Sequence, residues 1–247
     1  MAIARAIHPL VKLLKAVDNS LFPAACHACQ KRLNTNEPFL CHDCQTSCLQ
    51  QPTAHCPRCG QPHPATTTQN HLCNRCLTSP PPFNWLKAAG IYQGQLAELL
   101  QQFKFHHKTS LASPLADLIL LQHQQAIDEF AADIIVPTPL HFQRLRERGY
   151  NQAKLIGQQL ARHLNLPVNC SLALRNRPTP PQSTLSLNQR IDNMRGVFYS
   201  PEARPSRILL IDDIATTTST ARACSRALTQ RGHTVAVLVV ARALPHH

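Results

Sequence analysis

The sequence predicts an α/β protein in which helices flank a parallel sheet and a small cysteine-rich domain precedes it. From residue 83 onward, short apolar runs rich in β-branched residues alternate with helical patterns, as is typical of a parallel sheet. Eight of the eleven cysteines lie earlier, in four C-x-x-C pairs between Cys26 and Cys76. A chain of 247 residues has room for one domain of ordinary size and one small domain. We therefore expect a cysteine-rich domain at 23–79 and an α/β domain at 83–247.

The first 22 residues predict an amphipathic helix. Apolar residues recur from Ile3 to Val17 with Arg5, Lys12 and Lys15 between them. The apolar run is too broken for a signal peptide or a membrane span, so we expect a cytoplasmic protein with no transmembrane segment. The helix packs on the body of the protein or, as the alternative, docks on a membrane surface.

Four C-x-x-C pairs form a tandem repeat, with eleven residues between the first two pairs and thirteen between the last two. Two such turns supply a tetrahedral S₄ site for Zn²⁺, and a reducing compartment keeps thiols free of disulfides. We expect two structural zinc ions in a double zinc ribbon. Sequential pairing of the turns is preferred, with cross-bracing as the alternative. The eight ligands are Cys26, Cys29, Cys41, Cys44, Cys56, Cys59, Cys73 and Cys76.

The α/β domain follows a stiff Pro80–Pro82 linker and is predicted from periodicity. The predicted strands are Ala88–Tyr92, Asp133–Pro137, Arg207–Ile211 and Val235–Val240, and the predicted helices are Leu96–Phe105, Leu111–Ala126, Gln152–Leu164 and a run that stops at Gly232.

The stretch Arg207–Leu228 predicts a strand, an acidic pair, a hydroxyl-rich loop and a helix. The strand ends on Asp212 and Asp213, at the edge where open α/β sheets bind ligands. These carboxylates suit ribose hydroxyls or a hydrated Mg²⁺. The hydroxyls lead into a helix N-terminus, whose unpaired N–H groups bind phosphate. An ordinary turn with a threonine N-cap is the alternative. The hydroxyl residues are Thr216, Thr217, Thr218, Ser219 and Thr220.

A second anion site is predicted after the strand Asp133–Pro137. Arg144, Arg146 and Arg148 alternate beside Gly149, and guanidinium groups bind phosphate through paired hydrogen bonds. A solvated charged loop is the alternative.

Further along, residues 175–198 are polar and proline-bearing and lack periodicity. Such a long irregular segment predicts a lid or binding loop. Its candidate ligand-binding residues are Gln182, Arg190 and Arg195.

The run Ile211–Thr220 resembles the loop that binds phosphoribosyl pyrophosphate (PRPP) in type I phosphoribosyltransferases. Thr218 occupies the position where that family usually has glycine, which there lets the backbone approach the 5′-phosphate. With Pro137–Gln152, Thr179–Phe198 and the C-x-x-C head in this order, nearly the whole chain is similar to the ComF family (ComFC or GntX type). The resemblance implies a double zinc ribbon joined to a type I phosphoribosyltransferase-like domain and a role in competence and DNA uptake.

The resemblance also implies roles for individual residues. Asp212 and Asp213 correspond to the catalytic carboxylates, Thr216–Thr220 to the phosphate loop and Arg144–Gly149 to the pyrophosphate site. Mg²⁺ would accompany PRPP.

Charge adds a nucleic-acid partner to these expectations. Residues 141–242 hold 15 of the 25 Lys and Arg but only 5 of the 13 Asp and Glu, more basic groups than one PRPP molecule engages. The surplus predicts single-stranded DNA or RNA as a partner. One Trp, three Tyr and eight Phe indicate no obvious stacking platform.

We therefore expect a PRPP- or nucleotide-phosphate-binding protein of DNA uptake that meets proteins of the uptake machinery. The first alternative is an active Mg²⁺-dependent phosphoribosyltransferase that transfers ribose 5-phosphate to a base or amine. The second is a purely structural protein with an empty pocket. Thr218 and the lack of a legible base-recognition motif favour binding without transfer.

Overall fold

The computed structural model describes residues 24–64, 66, 68–176 and 196–244. The predicted N-terminal helix and the lid residues Gln182, Arg190 and Arg195 lie outside these ranges. The chain divides into two compact units, Met1–Thr46 and Ser47–His247. The first couple of C-x-x-C pairs thus belongs to the smaller unit and the second couple to the larger unit.

A four-stranded parallel sheet in the order β1-β6-β5-β2 lies at the centre of the larger unit. Strands β5 and β6 are nearly continuous apolar runs, as expected of parallel strands covered on both faces. A separate antiparallel pair is formed by β3 and β4. The strands are β1 Leu86–Ile91, β2 Ile134–Pro137, β3 Leu174–Arg175, β4 Phe198–Tyr199, β5 Arg207–Ala215 and β6 Thr234–Arg242.

Helices cover the sheet, which confirms the predicted α/β class. Helices α4 and α6 pack on each other and on the sheet, and α7 packs on β4, β5 and β6. Gly157 of α6 permits a close approach, because an added Cβ would lie 3.2 Å from Ile135 Cγ2 of β2. The helices of the described residues are α1 His42–Cys48, α2 Asn74–Thr78, α3 Gly94–Phe105, α4 Ala112–Phe130, α5 Phe142–Arg148, α6 Gln152–Leu164 and α7 Ser219–Thr229.

The second cysteine couple shares a hydrophobic core with α7. Cys56, Cys59 and Cys76 belong to the same buried cluster as Leu210 of β5 and Leu228 of α7. One face of the sheet therefore carries both the predicted phosphate-binding helix and the second ribbon.

Two elements differ from the sequence prediction. Strand β5 continues to Ala215, because Asp212 and Ile214 still pair with β6. The arginine stretch is the helix α5 rather than a loop, since His141 accepts a capping bond from Gln143 N–H and Gly149 ends the helix. On a helix, alternate residues point to opposite sides, so Arg144 and Arg148 share a face that Arg146 does not.

Among the described residues, no helix combines the length and the apolar character that a membrane crossing requires.

Candidate functional site

Each C-x-x-C turn is called a knuckle here. The eight cysteines of the four knuckles form two clusters, and each cluster is made of two consecutive knuckles. Within each cluster the four Sγ atoms lie within 4.8 Å of one another. The sulfurs of Cys29 and Cys41, and those of Cys59 and Cys73, are 3.7 Å apart. A Zn–S distance of about 2.3 Å gives a tetrahedron with edges of about 3.8 Å, whereas a disulfide needs about 2.05 Å. Both clusters fit structural zinc, and the sequential pairing is the one that forms.

Backbone amides prepare one thiol in each cluster for metal binding. Burial raises the pKa of the thiols of Cys26 and Cys56. Hydrogen bonds from backbone N–H groups outweigh burial and lower both pKa values to about 7. The donors for Cys56 include the amides of Cys59 and Cys73. Because Zn²⁺ binds thiolates, these amides favour the charge state that the metal needs.

The predicted acidic pair lies near the carboxyl end of β5, an inner strand of the sheet. Asp212 accepts from the amide of Asp213 at 2.9 Å, and Asp213 accepts from the amide of Ile214 at 2.6 Å. Burial, and then the charge of Asp213, raise the pKa of Asp212 to about 7. Asp212 is therefore only partly ionised at neutral pH.

Lys104 is a member of this site that the sequence did not single out. Its Nζ lies 2.9 Å from Asp213 Oδ2, and both side chains are largely buried. Lys104 comes from the last turn of α3, more than one hundred residues before its partner. A single lysine at the end of an amphipathic helix carries no signal of such a pairing.

The hydroxyl residues form a tight turn into α7. Thr218 precedes the helix with φ 59° and ψ 10°, in the left-handed region, and its side chain does not cap the helix. Left-handed backbone is strained for a β-branched residue. Thr218 itself therefore does not form the side-chain cap of the ordinary-turn alternative, whereas the Thr217 hydroxyl accepts from Ser219 N–H at 3.4 Å. The Thr217 hydroxyl also lies 2.8 Å from the Ser219 hydroxyl.

A small cavity of about 20 Å³ lies between Asp212 and this turn, enough for about one water molecule. Its lining includes Asp212, Thr216, Thr218, Ser219 and Thr220. Four of the five predicted hydroxyl residues and one predicted carboxylate are thus brought to one place. Thr216 is exposed, whereas Thr218 and Ser219 are buried.

Arg175, in β3, interacts with both the arginine helix α5 and this site, although the sequence did not single it out as a ligand. The pKa of Arg175 is lowered by burial and by the charge of Arg144 and is raised by the charge of Asp212. The charge of Arg175 therefore interacts with both predicted anion-binding elements. Its guanidinium carbon lies 5.7 Å from the centroid of the Phe198 ring. Arg175 is the first residue of the polar segment 175–198, for which the sequence predicted a lid or binding loop. Its place in that segment is the only sequence signal that could have indicated a role in this site.

The other members of the predicted pyrophosphate site have different surroundings. Arg148 lies 5.5 Å above the ring of Phe105, and Arg146 is exposed. Gly149 ends α5 with φ 74°, a conformation that favours glycine.

Arginines also join the second ribbon to the phosphate loop. Arg75, between Cys73 and Cys76, donates to the carbonyl of Thr217. Arg242, at the end of β6, donates to the carbonyls of Ala215 and Thr216. It also donates to Gln61 Oε1 at 2.6 Å, just beyond the Cys56/Cys59 knuckle.

A wider groove, called the basic groove here, lies along α7. Its volume is about 540 Å³, and Arg75, Arg222 and Arg226 line it together with Phe198 and Gln230. Arg222 is 7% exposed, whereas Arg226 is exposed. The groove therefore offers positive charge beside the phosphate loop.

Comparisons with known proteins agree with the cysteine pattern and extend over most of the chain. Residues 17–77 match the double zinc ribbon domain family. DNA utilization protein YhgH of Escherichia coli (strain K12) is 32% identical over 215 residues, which are 85% of this chain and 92% of that protein. Competence protein F of Haemophilus influenzae is 30% identical over 224 residues, covering 86% of this chain and 94% of the relative.

Similarity to solved structures is weaker. The adenine phosphoribosyltransferase of Leishmania tarentolae has a TM-score of 0.37 and is 15% identical, covering 63% of this chain and 76% of that chain. The full-length relatives, the cysteine clusters and the order of the motifs assign the family. This chain belongs to the ComF family.

Proposed function

We propose that this protein binds PRPP or a related nucleotide phosphate at the loop Asp212–Thr220 and acts in the handling of incoming DNA. One observation carries the proposal: the carboxylate of Asp212, near the end of β5, lines the same cavity as a hydroxyl-rich turn with left-handed backbone at Thr218 that opens the helix α7. This arrangement suits a phosphorylated sugar, because the helix N-terminus attracts phosphate and carboxylates accept from sugar hydroxyls.

Each part of the ligand has a candidate partner. Asp212 and Asp213 accept from ribose hydroxyls or hold a hydrated Mg²⁺, and the residues Thr216–Thr220 hold the 5′-phosphate. Arg144, Arg148 and Arg175 supply positive charge for the pyrophosphate. Arg146, Gln182, Arg190 and Arg195 remain sequence-based candidates for ligand contacts.

Binding without transfer is the favoured version of this function. The side chain of Thr218, at a position with strained left-handed backbone, limits how closely the loop can approach the 5′-phosphate. The sequence also contains no recognisable site for an acceptor base. The alternative is Mg²⁺-dependent transfer of ribose 5-phosphate to a base or amine. Adding candidate bases to the PRPP complex separates the two, because only transfer releases pyrophosphate.

Calorimetry with PRPP and Mg²⁺ tests the binding site. Asp212→Asn combined with Asp213→Asn should abolish binding, because an amide neither holds Mg²⁺ as a carboxylate does nor pairs as strongly with ribose hydroxyls. Asp117→Asn is the control, since Asp117 is a partly buried carboxylate that lies 3.4 Å from His163. Equal affinities of the double variant and wild type would refute the proposal, provided that both unfold at similar temperatures.

We place a nucleic-acid partner at the basic groove. The relatives are named for DNA utilization and competence, and the groove presents arginines from both α2 and α7. Single-stranded DNA is the partner of matching chemistry, because its phosphates bind arginine in a salt-dependent manner. Contact with other proteins of DNA uptake, a cytoplasmic location and peripheral membrane docking through residues 1–22 complete the proposal.

A labelled single-stranded oligothymidylate tests this surface in a fluorescence anisotropy titration. Arg226→Ala should weaken binding and reduce the slope of log K against log salt by about 0.7, the value for one phosphate contact. Arg162→Ala removes an exposed arginine of α6 and should leave both unchanged. Identical behaviour of the two variants would exclude the basic groove.

A further inference from the structure

Three arginines surround the second cysteine cluster in an unusual way. Arg222 is 7% exposed and Arg242 is 2% exposed, and Arg75 is partly buried. Among the described residues, no carboxylate forms an ion pair with any of the three. Buried charges without a counter-charge are costly, so this arrangement requires a nearby source of negative charge.

The zinc centre itself is that source. Four thiolates on one Zn²⁺ carry a net charge of about −2. Arg222 Nη2 lies 3.7 Å from Cys76 Sγ. Arg75 lies in the chain between the ligands Cys73 and Cys76, and Arg242 donates to Gln61 Oε1, just beyond the Cys56/Cys59 knuckle. The loaded centre thus neutralises most of the positive charge buried around it.

The same arginines hold the backbone on both sides of the interface between the ribbon and the loop. Arg75 donates to Thr217 O, and Arg242 donates to Ala215 O at 2.8 Å and to Gln61 Oε1 at 2.6 Å. Arg222 donates to Ser79 O at 2.7 Å. Two of the arginines therefore restrain the backbone that leads into the strained turn at Thr218.

We propose that the second zinc ribbon is a working part of the phosphate site: its zinc tetrathiolate balances Arg75, Arg222 and Arg242, and Arg75 positions the Thr217 carbonyl in the loop. Loss of zinc from Cys56, Cys59, Cys73 and Cys76 leaves three like charges together and releases the loop. Loss of zinc from the first ribbon has no such effect. Zinc occupancy of one ribbon therefore regulates ligand affinity at the loop, a conclusion that rests on the proposed PRPP site.

Substitution of Arg75 tests the positioning role without disturbing the metal ligands. Arg75→Met retains the aliphatic length but removes the donor to Thr217 O. PRPP affinity in the presence of Mg²⁺ should fall about tenfold or more, the range expected for one charged hydrogen bond, while zinc content stays unchanged. Arg32→Met, at an exposed arginine of the first ribbon, is the matched control and should bind like wild type. Equal affinity of wild type and Arg75→Met would overturn the positioning role.

Hydrogen exchange of the ligand-free protein separates this inference from the proposed function. Peptides covering residues 212–221 should exchange faster in Arg75→Met than in wild type or Arg32→Met, whether or not PRPP binds. If wild type fails to bind PRPP but this difference appears, the positioning role stands and the ligand assignment falls. If the exchange rates agree, Arg75 does not position the loop.

Paired metal variants test the role of zinc. Cys73→Ser and Cys41→Ser alter equivalent positions of the two ribbons and should each remove one zinc ion per chain. Only Cys73→Ser should accelerate exchange in residues 212–221 and weaken PRPP binding. Equal effects of the two substitutions, or no effect of Cys73→Ser on the loop, would overturn the proposed coupling.

Discussion

The first knuckles of the two zinc ribbons have the same backbone conformation but differ in the residues that they contact. In the first, Cys26 N–H donates to Lys31 O at 2.8 Å, and in the second Cys56 N–H donates to Gln61 O at 2.8 Å. The residue after each knuckle is left-handed, with φ 64° at Gln30 and 65° at Gly60. The metal-binding turn thus imposes the same conformation twice, although glutamine occupies one copy and glycine the other.

The reason for glycine in the second copy is packing. A Cβ at Gly60 would lie 3.1 Å from Leu86 O of β1, and Leu86 N–H donates to Arg58 O at 2.9 Å. The second knuckle is therefore hydrogen-bonded to the edge of the sheet. Gln30 is exposed, so the first knuckle tolerates a long side chain at a modest cost in strain.

The position before the last cysteine also separates the ribbons. Asp43 in the first is exposed and lies 3.7 Å from Lys31, and such surface pairs contribute about 0–1 kcal/mol. Arg75 in the second donates to the phosphate loop. A duplicated metal module can therefore keep its ligands while the residues between them acquire a second role.

The largest expected effect concerns the metal itself. Purified protein should contain two zinc ions per chain, because eight thiolates saturate two tetrahedral sites, and Cys73→Ser should reduce the content to one. Binding of structural zinc is worth about 10–16 kcal/mol in small domains, so the affected ribbon should also lose its fold. Metal analysis decides this, and a wild-type content near one would contradict the double ribbon.

A smaller effect is expected at the second knuckle. Gly60→Ala should reduce the free energy of unfolding of the larger unit by about 2–3 kcal/mol, from left-handed strain and from the contact with Leu86 O. Gln30→Ala should change stability by less than about 0.5 kcal/mol, since it is a surface substitution. Thermal unfolding of both variants with zinc bound measures the difference. Equal melting temperatures would show that β1 yields to the added methyl group.

Much of this contrast was invisible in the sequence. The C-x-x-C spacing predicted both zinc sites and their sequential pairing, because ligand geometry depends on local turns. The apolar run of β5 and the acidic pair were equally legible. Lys104, Arg75 and Arg242 were not, because each meets the loop through contacts between residues distant in the chain. The arginine stretch was predicted to be a loop for two reasons. His141 is not one of the usual N-cap residues, and Gly149, which ends the helix, was assigned to a ligand site.

The strained turn supported by the second ribbon yields the next prediction. If Thr218 crowds the 5′-phosphate, Thr218→Gly should tighten PRPP binding about fivefold or more, because glycine removes the crowding side chain and with it about 1–3 kcal/mol of strain that would arise only in the bound state. If the Thr218 hydroxyl instead contacts the phosphate, binding should weaken by about 1 kcal/mol. PRPP titration at fixed Mg²⁺ distinguishes these outcomes, and an unchanged or weaker affinity refutes crowding.

The last prediction contrasts carboxylates of the two units. Glu37 accepts from the amides of Asn34 at 2.9 Å and His42 at 2.8 Å, and these bonds lower its pKa. Asp212 shows the opposite shift, because burial and Asp213 raise its pKa to about 7. Near neutral pH, Glu37 therefore stays ionised while Asp212 titrates.

Since Asp212 is neutral below its raised pKa and only its ionised form binds the ligand well, PRPP affinity should increase as the pH rises through 7. A group with a pKa of about 7 is about one-tenth ionised at pH 6 and about nine-tenths ionised at pH 8, which predicts an increase of about tenfold. The phosphates of PRPP also titrate near this range, so Asp212→Asn serves as the control, because its remaining pH dependence belongs to the ligand and to other groups. Calorimetric titrations at both pH values should show a steeper dependence for wild type than for Asp212→Asn. Parallel pH profiles would mean that Asp212 does not bind the ligand through its carboxylate.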